Sequence, residues 1–556
     1  MRKIIYYTGV FIMGLVISSS GCNPDGVNGL TVTPSSITLS YVDDSATFTV
    51  NFFAAWQVMG TIPSWLSLSA TSGVCTTDIT VTILEPNLDQ TPRTYTITLR
   101  TPDGDEATVT VTQTFSGHWV TFDPNDGYSG ICVTNFPEPQ AKGDGATLVL
   151  SDLTPKLFGF QFDGWNSSAD GSGTSFDPGD NYTTDADVTL YAQWSSMLVM
   201  VSAGETHALA LMNDGTVWAW GRGDRGELGL GYNPGVTANF TPMQVVNITD
   251  VVTISAGGFH SLAIKNDGTV WAWGNNQYGQ LGDNSLTRRE YPVQVSGLTG
   301  MTAIAAGYEY SMALKSDGTV WAWGINVNHG QLGDGTTNNR STPVQATGLS
   351  NVVAIAAGAN HSLALDASGN VWAWGANVQG QLGNATDYNI SVPHPTPVQV
   401  TATGVAAIEA IAAGSNHSLA LKDDGTVYSW GAGDRGQLGH TGYLPGQMGS
   451  ITGVAAIAGE DSSSLVLIDD GNIWGLGNNT NGQLGYSASL DQNNTTPLQA
   501  EISGVKAISA GRGTFALAIK NDNTLWSWGN NGWGQLGNST NAGLSGPNPV
   551  PAPVVY

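Results

Sequence analysis

One phrase recurs seven times between Val201 and the C-terminus, and this repetition constrains the fold more than any other feature. A complete copy runs from Ala356 to Gly383 and reads A-A-G-A-N-H-S-L-A-L-D-A-S-G-N-V-W-A-W-G-A-N-V-Q-G-Q-L-G. The glycines of its A-G step lie 45 to 56 residues apart, at Gly204, Gly257, Gly307, Gly358, Gly414, Gly459 and Gly511. A period of this length indicates a propeller or a solenoid.

Each copy contains four strand-like pieces of the types V-V-A-I-A-A-G, H-S-L-A-L, V-W-A-W-G and T-P-V-Q-V. Turns such as N-D-G or S-D-G separate the second piece from the third, which predicts a tight hairpin with positive φ. The paired tryptophans of the third piece lie two residues apart, so both rings share one face of the strand. Four antiparallel strands of this kind make one propeller blade.

The chain end has a predicted structural role. A T-P-V-Q-V piece follows every W-x-W-G block, and residues 548–556 stand in for it after the last block. Because no such piece precedes the first block, the tail is predicted to add the outer strand to the first blade and so to close the ring.

The motifs A-G-x-x-H-S-L-A-L, D-G-x-V-W-x-W-G and G-Q-L-G resemble the regulator of chromosome condensation repeat over about 360 residues. The resemblance implies a seven-bladed β-propeller over residues 196–556. The founding protein of the family is a nucleotide exchange factor on chromatin, but fold does not carry function. We therefore take over the fold and not that activity.

Two regions with different sequence patterns precede the repeats. Residues 27–115 alternate apolar and polar positions in short runs, and the markers around Trp56, Trp65 and Arg93 resemble a BACON domain, an Ig-like β-sandwich common in exported Bacteroides-type proteins and proposed to bind carbohydrate. Trp56 and Trp65 are predicted in its core rather than on a sugar platform. Residues 117–195, from W-V-T-F-D-P-N-D-G to V-T-L-Y-A-Q-W, resemble a Listeria-Bacteroides repeat, a small β-grasp-like module.

Aspartates of this second module fall in D-P or D-G turns. We predict local backbone bonding for them rather than calcium binding, because no twelve-residue ligand loop is present. They are Asp123, Asp126, Asp163 and Asp177.

Residues 1–21 read as an export signal, with Arg2 and Lys3 before an apolar run. Cys22 follows directly and resembles a bacterial lipobox cysteine, so residues 22–26 are predicted to be a lipidated tether to the outer membrane or cell surface. Plain secretion is the alternative, because Ser19 replaces the usual leucine. Cys75 and Cys132 are predicted to be two isolated buried thiols, with a disulfide as the alternative.

Composition narrows the function. The 44 acidic residues exceed the 18 basic ones, giving a net charge of -26, which argues against a nucleic-acid partner. No G-x-S-x-G, H-E-x-x-H or Walker pattern is present, so we predict no catalytic residue, no metal and no cofactor. His207, His260, His361 and His417 occupy one repeat position that Tyr310, Ser463 and Phe515 also fill, which favours packing or backbone bonding over metal ligation.

A partner is predicted on one face of the propeller. The turn in A-G-x-x-H and the loop after W-x-W-G emerge together, and their residues vary between copies, whereas the opposite D-G face repeats nearly the same letters. The candidate contacts are Glu205, Arg222, Arg225, Phe259, Tyr278, Tyr308, Glu309, His329, Asn360, Asn416, Glu460, Asp461, Arg512 and Trp533.

The leading hypothesis is a non-enzymatic cell-surface binding protein that captures a protein or other macromolecule on this face. The alternative is a carbohydrate-binding surface protein that holds glycan or mucin through the BACON-like domain or the propeller. A polysaccharide-active enzyme is a third, weaker hypothesis.

Overall fold

The computed structural model describes residues 29–555 apart from positions 40–44, 53–54, 74–75, 86, 88–90, 115–116, 126–132, 144, 232–237, 386, 403, 489, 492, 539–542 and 545. The predicted export signal and the cysteines Cys22, Cys75 and Cys132 lie outside the described residues. The described chain is all-β, contains no helix and therefore offers no helical segment that could cross a membrane.

The chain forms two compact units. One comprises Met1–Asn125, Pro137–Thr154 and Gly164–Gln193, and the other comprises Asp126–Phe136, Pro155–Asp163 and Trp194–Tyr556.

The first unit begins with two sheets around one apolar core. Their orders are β1-β3-β7-β5 and β2-β9-β8-β4-β6. The strands are β1 (Thr31–Thr33), β2 (Ser36–Leu39), β3 (Ser45–Asn51), β4 (Trp56–Met59), β5 (Leu66–Leu68), β6 (Ser72–Gly73), β7 (Thr77–Ile83), β8 (Arg93–Arg100) and β9 (Glu106–Gln113).

The alternating pattern of this region places Phe48, Ile79 and Val109 inside the core. Trp56 and Trp65 lie in the same core, and the Arg93 guanidinium covers Trp65 at 4.7 Å from the ring centroid. The core interpretation of both tryptophans is therefore confirmed.

Seven further strands follow before the repeats. Five form a sheet of order β11-β10-β16-β13-β14, and two form the pair β12-β15. They are β10 (His118–Asp123), β11 (Gln140–Lys142), β12 (Leu148–Val149), β13 (Phe160–Asn166), β14 (Ser175–Phe176), β15 (Asn181–Tyr182) and β16 (Val188–Ser196).

The aspartates of this region differ in their bonding. Asp123 accepts a hydrogen bond from the Asn125 backbone N–H at 2.7 Å, as a turn aspartate is expected to do. Asp163 instead accepts one from the Ser195 hydroxyl at 3.1 Å, so its partner is distant in sequence. Asp126 lies outside the described residues.

The repeats form seven consecutive four-stranded sheets, which we number 1 to 7 along the chain. Sheets 1 to 3 contain β17 (Leu198–Ala203), β18 (His207–Met212), β19 (Val217–Arg222), β20 (Ala238–Gln244), β21 (Val251–Ala256), β22 (His260–Lys265), β23 (Val270–Gly274), β24 (Arg289–Gln294), β25 (Met301–Ala306), β26 (Tyr310–Lys315), β27 (Val320–Gly324) and β28 (Arg340–Gln345). Sheets 4 and 5 contain β29 (Val352–Ala357), β30 (His361–Asp366), β31 (Val371–Gly375), β32 (His394–Gln399), β33 (Ile408–Ala413), β34 (His417–Lys422), β35 (Val427–Gly431) and β36 (Gly446–Gln447). Sheets 6 and 7 contain β37 (Val454–Gly459), β38 (Ser463–Ile468), β39 (Ile473–Gly477), β40 (Asn494–Gln499), β41 (Val505–Gly511), β42 (Phe515–Lys520), β43 (Leu525–Gly529) and β44 (Ala552–Pro553).

The predicted hairpins are confirmed. In sheet 1, Leu211 pairs with Val217 across a turn in which Gly215 has φ +78° and the Asp214 carboxylate accepts a hydrogen bond from the Thr216 N–H at 2.9 Å. A glycine is required at this turn because most side chains rarely adopt positive φ.

The predicted role of the tail is wrong. The tail strand β44 pairs with β43, placing Pro553 opposite Trp526, and so completes sheet 7 rather than sheet 1. Sheet 1 already receives its outer strand from β20, because the chain after each W-x-W-G block returns to the same sheet. Sheets 7 and 1 are instead joined by side chains, including a hydrogen bond of 2.9 Å from Trp220 Nε1 to the Gln535 carbonyl.

The same type of bond links other neighbouring sheets. The Gln381 carbonyl of sheet 4 accepts hydrogen bonds from Trp430 Nε1 and Ser418 Oγ of sheet 5, both at 2.9 Å. Ser418 Oγ also lies 3.0 Å from His361 Nε2 of sheet 4. Because the hydroxyl proton goes to the carbonyl, Ser418 accepts from a neutral imidazole protonated at Nε2.

Burial keeps these histidines neutral. It lowers the pKa of His207, His260 and His361 to about 3 and that of His417 to about 4. The packing interpretation of the histidine position is thus confirmed, although the partner is a serine of the next sheet. The A-G step also follows from this packing, since a Cβ at Gly358 would lie 2.1 Å from His361 Cε1.

We predict that Ser418→Ala destabilises the protein by about 1–3 kcal/mol, because it leaves His361 Nε2 buried without an acceptor. Urea unfolding followed by tryptophan fluorescence measures this change. The exposed hairpin variant Ser368→Ala should stay within about 0.5 kcal/mol of the unchanged protein. Equal midpoints for the two variants would show that the inter-sheet bond contributes no stability.

Candidate functional site

The candidate site lies where the A-G-x-x-H turns meet the loops after W-x-W-G, and we call this the loop face. The backbone joins these segments directly: Arg222 N donates to Thr206 O at 2.8 Å and Asn275 N donates to Phe259 O at 2.9 Å. The predicted placement of both segments on one face is therefore confirmed. The opposite face, which carries the D-G turns, is the hairpin face.

Three aromatic rings and two guanidinium groups form a continuous row on the loop face, contributed by sheets 7, 1, 2 and 3. The Arg222 guanidinium carbon lies 4.4 Å from the Trp533 ring centroid and 5.5 Å from that of Phe259. The Arg225 guanidinium carbon lies 3.9 Å from the Phe259 centroid, and Phe259 meets Tyr308 edge-on at 5.5 Å. We call these five residues the aromatic ridge.

The two arginines of the ridge differ in their charge partners. Arg222 donates from Nε and Nη2 to the two carboxylate oxygens of Asp224, at 2.5 and 2.8 Å, and these bonds lower the pKa of Asp224. Arg225 has no carboxylate within 4 Å among the described residues. Its guanidinium N–H groups are therefore the ridge donors available to a partner.

The ridge is part buried and part accessible. The Phe259 side chain is only 6% exposed because Arg225 and Tyr308 pack against it, whereas Trp533 is 37% exposed. The expectation that Phe259 is accessible to a partner is therefore wrong. It supports the ridge, while Trp533 and the arginines form the accessible surface. Cation–aromatic contacts of this kind hold long side chains in place before a partner binds.

Beside the ridge, the inner strands surround a cavity of about 360 Å³. Arg512 of sheet 7 reaches across it and donates from Nη2 to the Ala357 carbonyl of sheet 4 at 2.9 Å. Burial raises the pKa of Glu205, an effect that Arg512 and Arg222 oppose and Asp461 reinforces. Glu205, Asp461 and Arg512 are thus electrostatic neighbours.

Glu460 does not behave as a surface contact. Its side chain is fully buried, Ser463 Oγ donates to Oε2, and burial raises its pKa well above the ordinary value. The expectation that Glu460 is accessible to a partner is therefore wrong. Ser463 stands at the repeat position that His207, His260, His361 and His417 occupy in other sheets.

The remaining candidates lie on the loop face and are not members of the aromatic ridge. Burial raises the pKa of Glu309, and the Arg225 charge opposes this shift, so Glu309 is an electrostatic neighbour of the ridge. Burial lowers the pKa of His329. Asn416 is exposed, and Tyr278 and Asn360 are partly exposed.

Glu227 belongs to the site but was not among the residues predicted from the sequence. Six copies carry glutamine in G-Q-L-G, but the first reads G-E-L-G, and this substitution is the signal that could have identified it. Glu227 is fully buried and accepts a hydrogen bond from the Arg225 N–H at 2.8 Å, while Arg222 Nε lies 4.0 Å from its other oxygen. Burial raises its pKa to about 7, so its charge changes beneath the ridge near neutral pH.

The basic residues of the repeat region separate by type. Every lysine lies next to a hairpin or on the hairpin-face end of a strand, and several pair with a turn aspartate, as Lys315 does with Asp317 at 2.9 Å. Every arginine lies on the loop face. The lysines are Lys265, Lys315, Lys422, Lys506 and Lys520, and the arginines are Arg222, Arg225, Arg288, Arg289, Arg340, Arg435 and Arg512.

Comparison with known proteins identifies the class. Residues 141–410 match the RCC1-like domain, and residues 408–437 and 505–535 match the Regulator of chromosome condensation (RCC1) repeat. Yeast RCC1 (Prp20), solved bound to Kap60, is 25% identical with a TM-score of 0.53 over 62% of this chain and 84% of that chain. Human WBSCR16 is 22% identical with a TM-score of 0.51 over 63% and 92%.

The chain therefore contains an RCC1-like repeat propeller domain. Among curated relatives, human HERC6, a probable E3 ubiquitin-protein ligase, is 35% identical over 44% of this chain and 19% of that protein. The mitochondrial RCC1 domain-containing protein RUG3 of Arabidopsis thaliana is 33% identical over 45% and 56%. The chain thus spans about half or less of the length of these relatives.

We predict that Glu227→Gln stabilises the protein at alkaline pH. The folded pKa of Glu227 is raised to about 7 from an ordinary 4.5, so the folded state binds this proton more tightly than the unfolded state. Stability is thereby lost as pH rises from about 4.5 through 7, by roughly 3 kcal/mol. Urea unfolding should show the variant more stable at pH 8 and equal to the unchanged protein near pH 4.5. A pH-independent difference would contradict this account.

Proposed function

We propose that this protein is a non-enzymatic cell-surface binding protein that captures a protein partner on its loop face. The aromatic ridge is the observation that carries this proposal. It combines an accessible tryptophan, a supported ring pair and arginine donors, and Trp, Tyr and Arg are the residues that dominate binding energy at protein interfaces. The turn residues that are nearly the same in every copy lie on the hairpin face instead.

The relatives support the mode of action. Yeast Prp20p binds Gsp1p and histones and has been solved bound to Kap60, and all of these partners are proteins. RCC1-like propellers are therefore suited to hold protein partners. The identity of the partner of this chain does not follow from theirs, since the structures share about a quarter of their residues.

We infer a modular architecture around this surface. The seven sheets act as a closed seven-bladed propeller, supported by the side-chain links between sheets 7 and 1. Residues 27–115 act as an Ig-like BACON domain and residues 117–195 as a β-grasp-like Listeria-Bacteroides module. Together they serve as a spacer between the propeller and a lipid on Cys22, which anchors the protein to the membrane.

We predict that Arg225→Ala and Trp533→Ala each weaken capture by at least about thirtyfold, because hot-spot truncation costs 2 kcal/mol or more. The measurement is affinity purification with the full chain from the surroundings of the producing cell, followed by titration of the recovered protein. Lys315→Ala on the hairpin face is the matched control and should bind normally. Capture that survives both ridge variants would exclude the loop face.

We further predict that Cys22→Ser releases the protein from the membrane fraction into the medium. Lipid attachment at this thiol is the proposed membrane anchor, and the substitution removes it. Cell fractionation and metabolic labelling with palmitate provide the readout. Unchanged membrane association in the variant would show that another segment anchors the protein.

A further inference from the structure

A second concave site lies on the loop face between sheets 4, 5 and 6, away from the ridge residues. It has a volume of about 650 Å³ and is lined by Gln379, Tyr388, Asp434, His440 and Tyr443, with glycines of the sheet 5 loop forming much of the remaining wall. We call it the tyrosine cleft. None of its residues belongs to the aromatic ridge.

The repeat pattern is broken where the cleft forms. The outer strands of sheets 1, 2, 3, 4 and 6 have six or seven residues, but β36 of sheet 5, like β44 of sheet 7, has only two, Gly446 and Gln447. The segment before it reads H-T-G-Y-L-P instead of the usual strand sequence. Departures from a locally consistent pattern concentrate at functional sites in proteins.

Sheet 5 also differs at the residue that lies opposite the last glycine of the third strand. Gly274 and Gly324 at the ends of the third strands pair with Arg289 and Arg340, which are held by Asp283 and Asp334. The corresponding Gly431 of sheet 5 instead donates from its backbone N–H to the Tyr443 carbonyl at 2.9 Å. Sheet 5 thus has an aromatic residue at a position where sheets 2 and 3 have an arginine–aspartate pair, sheet 4 has His394 and sheet 6 has Asn494.

That ring pairs with another from the neighbouring sheet. Tyr388, from the loop between β31 and β32, stacks on Tyr443 with centroids 3.6 Å apart and an interplanar angle of 1°. Gly380 leaves room for this arrangement, since a Cβ there would lie 2.7 Å from Tyr443 Cδ2. The result is a rigid aromatic wall in a cleft whose other groups are polar.

The chemistry of the wall and rim selects a class of ligand. Tyrosine rings offer an apolar surface together with a hydroxyl group. Gln379, Asp434 and the threonines Thr441 and Thr495 add donors and acceptors at the rim. His440 Nε2 is occupied by the Ser429 carbonyl at 2.9 Å, so this nitrogen positions the ring rather than the ligand.

We propose that the tyrosine cleft binds a neutral saccharide. A pyranose presents an apolar C–H face to the aromatic wall and hydroxyl groups to the carboxylate and amide rim. A wholly apolar ligand would leave these polar groups without partners. The Asp434 carboxylate lies 3.5 Å from Arg435 Nε, so these two opposite charges offset each other and do not select an ionic ligand. Saccharide binding is a function separate from protein capture by the ridge.

The test is titration of the full chain with cellotriose, maltotriose, mannotriose and chitotriose at millimolar concentration, followed by saturation-transfer NMR and calorimetry. We expect saturable binding of at least one of these probes. Tyr388→Ala should weaken it about five- to tenfold, the value of one aromatic contact. Tyr388→Phe keeps the ring and should bind within about threefold of the unchanged chain.

Controls separate this site from the ridge and from a folding defect. Trp533→Ala should bind the saccharide normally, and Tyr388→Ala should unfold at an unchanged urea midpoint and still capture the protein partner. Absence of binding by all four probes would overturn the proposal, as would binding that survives both Tyr388→Ala and Asp434→Ala. Loss of protein capture in Tyr388→Ala without any saccharide binding would assign the cleft to the protein partner instead.

Discussion

One backbone carbonyl per repeat holds the propeller domain together. It belongs to the glutamine of G-Q-L-G, or to Glu227 in the first copy, and accepts a hydrogen bond from the second tryptophan of the next sheet in six of seven cases. Five of the seven carbonyls accept a serine hydroxyl from the next sheet, and four of them accept both bonds, those of Glu227, Gln280, Gln331 and Gln381. A buried carbonyl has two lone pairs to satisfy, and this arrangement satisfies both across an interface between sheets.

The serine and the histidine position change together along the chain. Where one sheet has histidine or tyrosine at this position, the next sheet has serine at the facing position. His361 of sheet 4 and Ser418 of sheet 5 are one such pair. Ser463 and Phe515 cannot donate in the same way, and the sheets after them carry Ala516 and Ala208. A serine at position 516 or 208 would have no histidine to donate a hydrogen bond to its hydroxyl oxygen. Alanine at these positions therefore costs no hydrogen bond from the preceding sheet. Each interface between sheets is therefore internally consistent, although the seven are not identical.

Much of the fold could be predicted from the sequence, because period-two patterns and D-G turns specify pairing between adjacent strands. Contacts between sheets could not be predicted in this way. They join residues about fifty positions apart in the chain, and no local sequence pattern connects such residues. This explains the missed serine partner of His361 and the wrong destination of the tail, whose pairing with Trp526 depends on which sheet lies within reach. It also explains Glu460, which its variable turn position predicts to be accessible: its burial and its hydrogen bond from Ser463 Oγ depend on packing that the repeat pattern does not show.

The loop face combines variable surface residues with the regular bonds between sheets that lie below them. Its residues vary because the inter-sheet bonds are made below them, by backbone carbonyls and by serine, histidine and tryptophan side chains that the variation does not touch. The variation is nonetheless ordered, since arginines and rings converge in sheets 7 and 1 to 3 and stacked tyrosines in sheets 4 and 5. Glu227 takes part in both the inter-sheet bonding and the binding surface. Its backbone carbonyl accepts a hydrogen bond from Trp273, as the glutamine of other copies does, while its carboxyl group lies beneath Arg222 and Arg225. A change that leaves the propeller intact can therefore alter the charge beneath its binding surface.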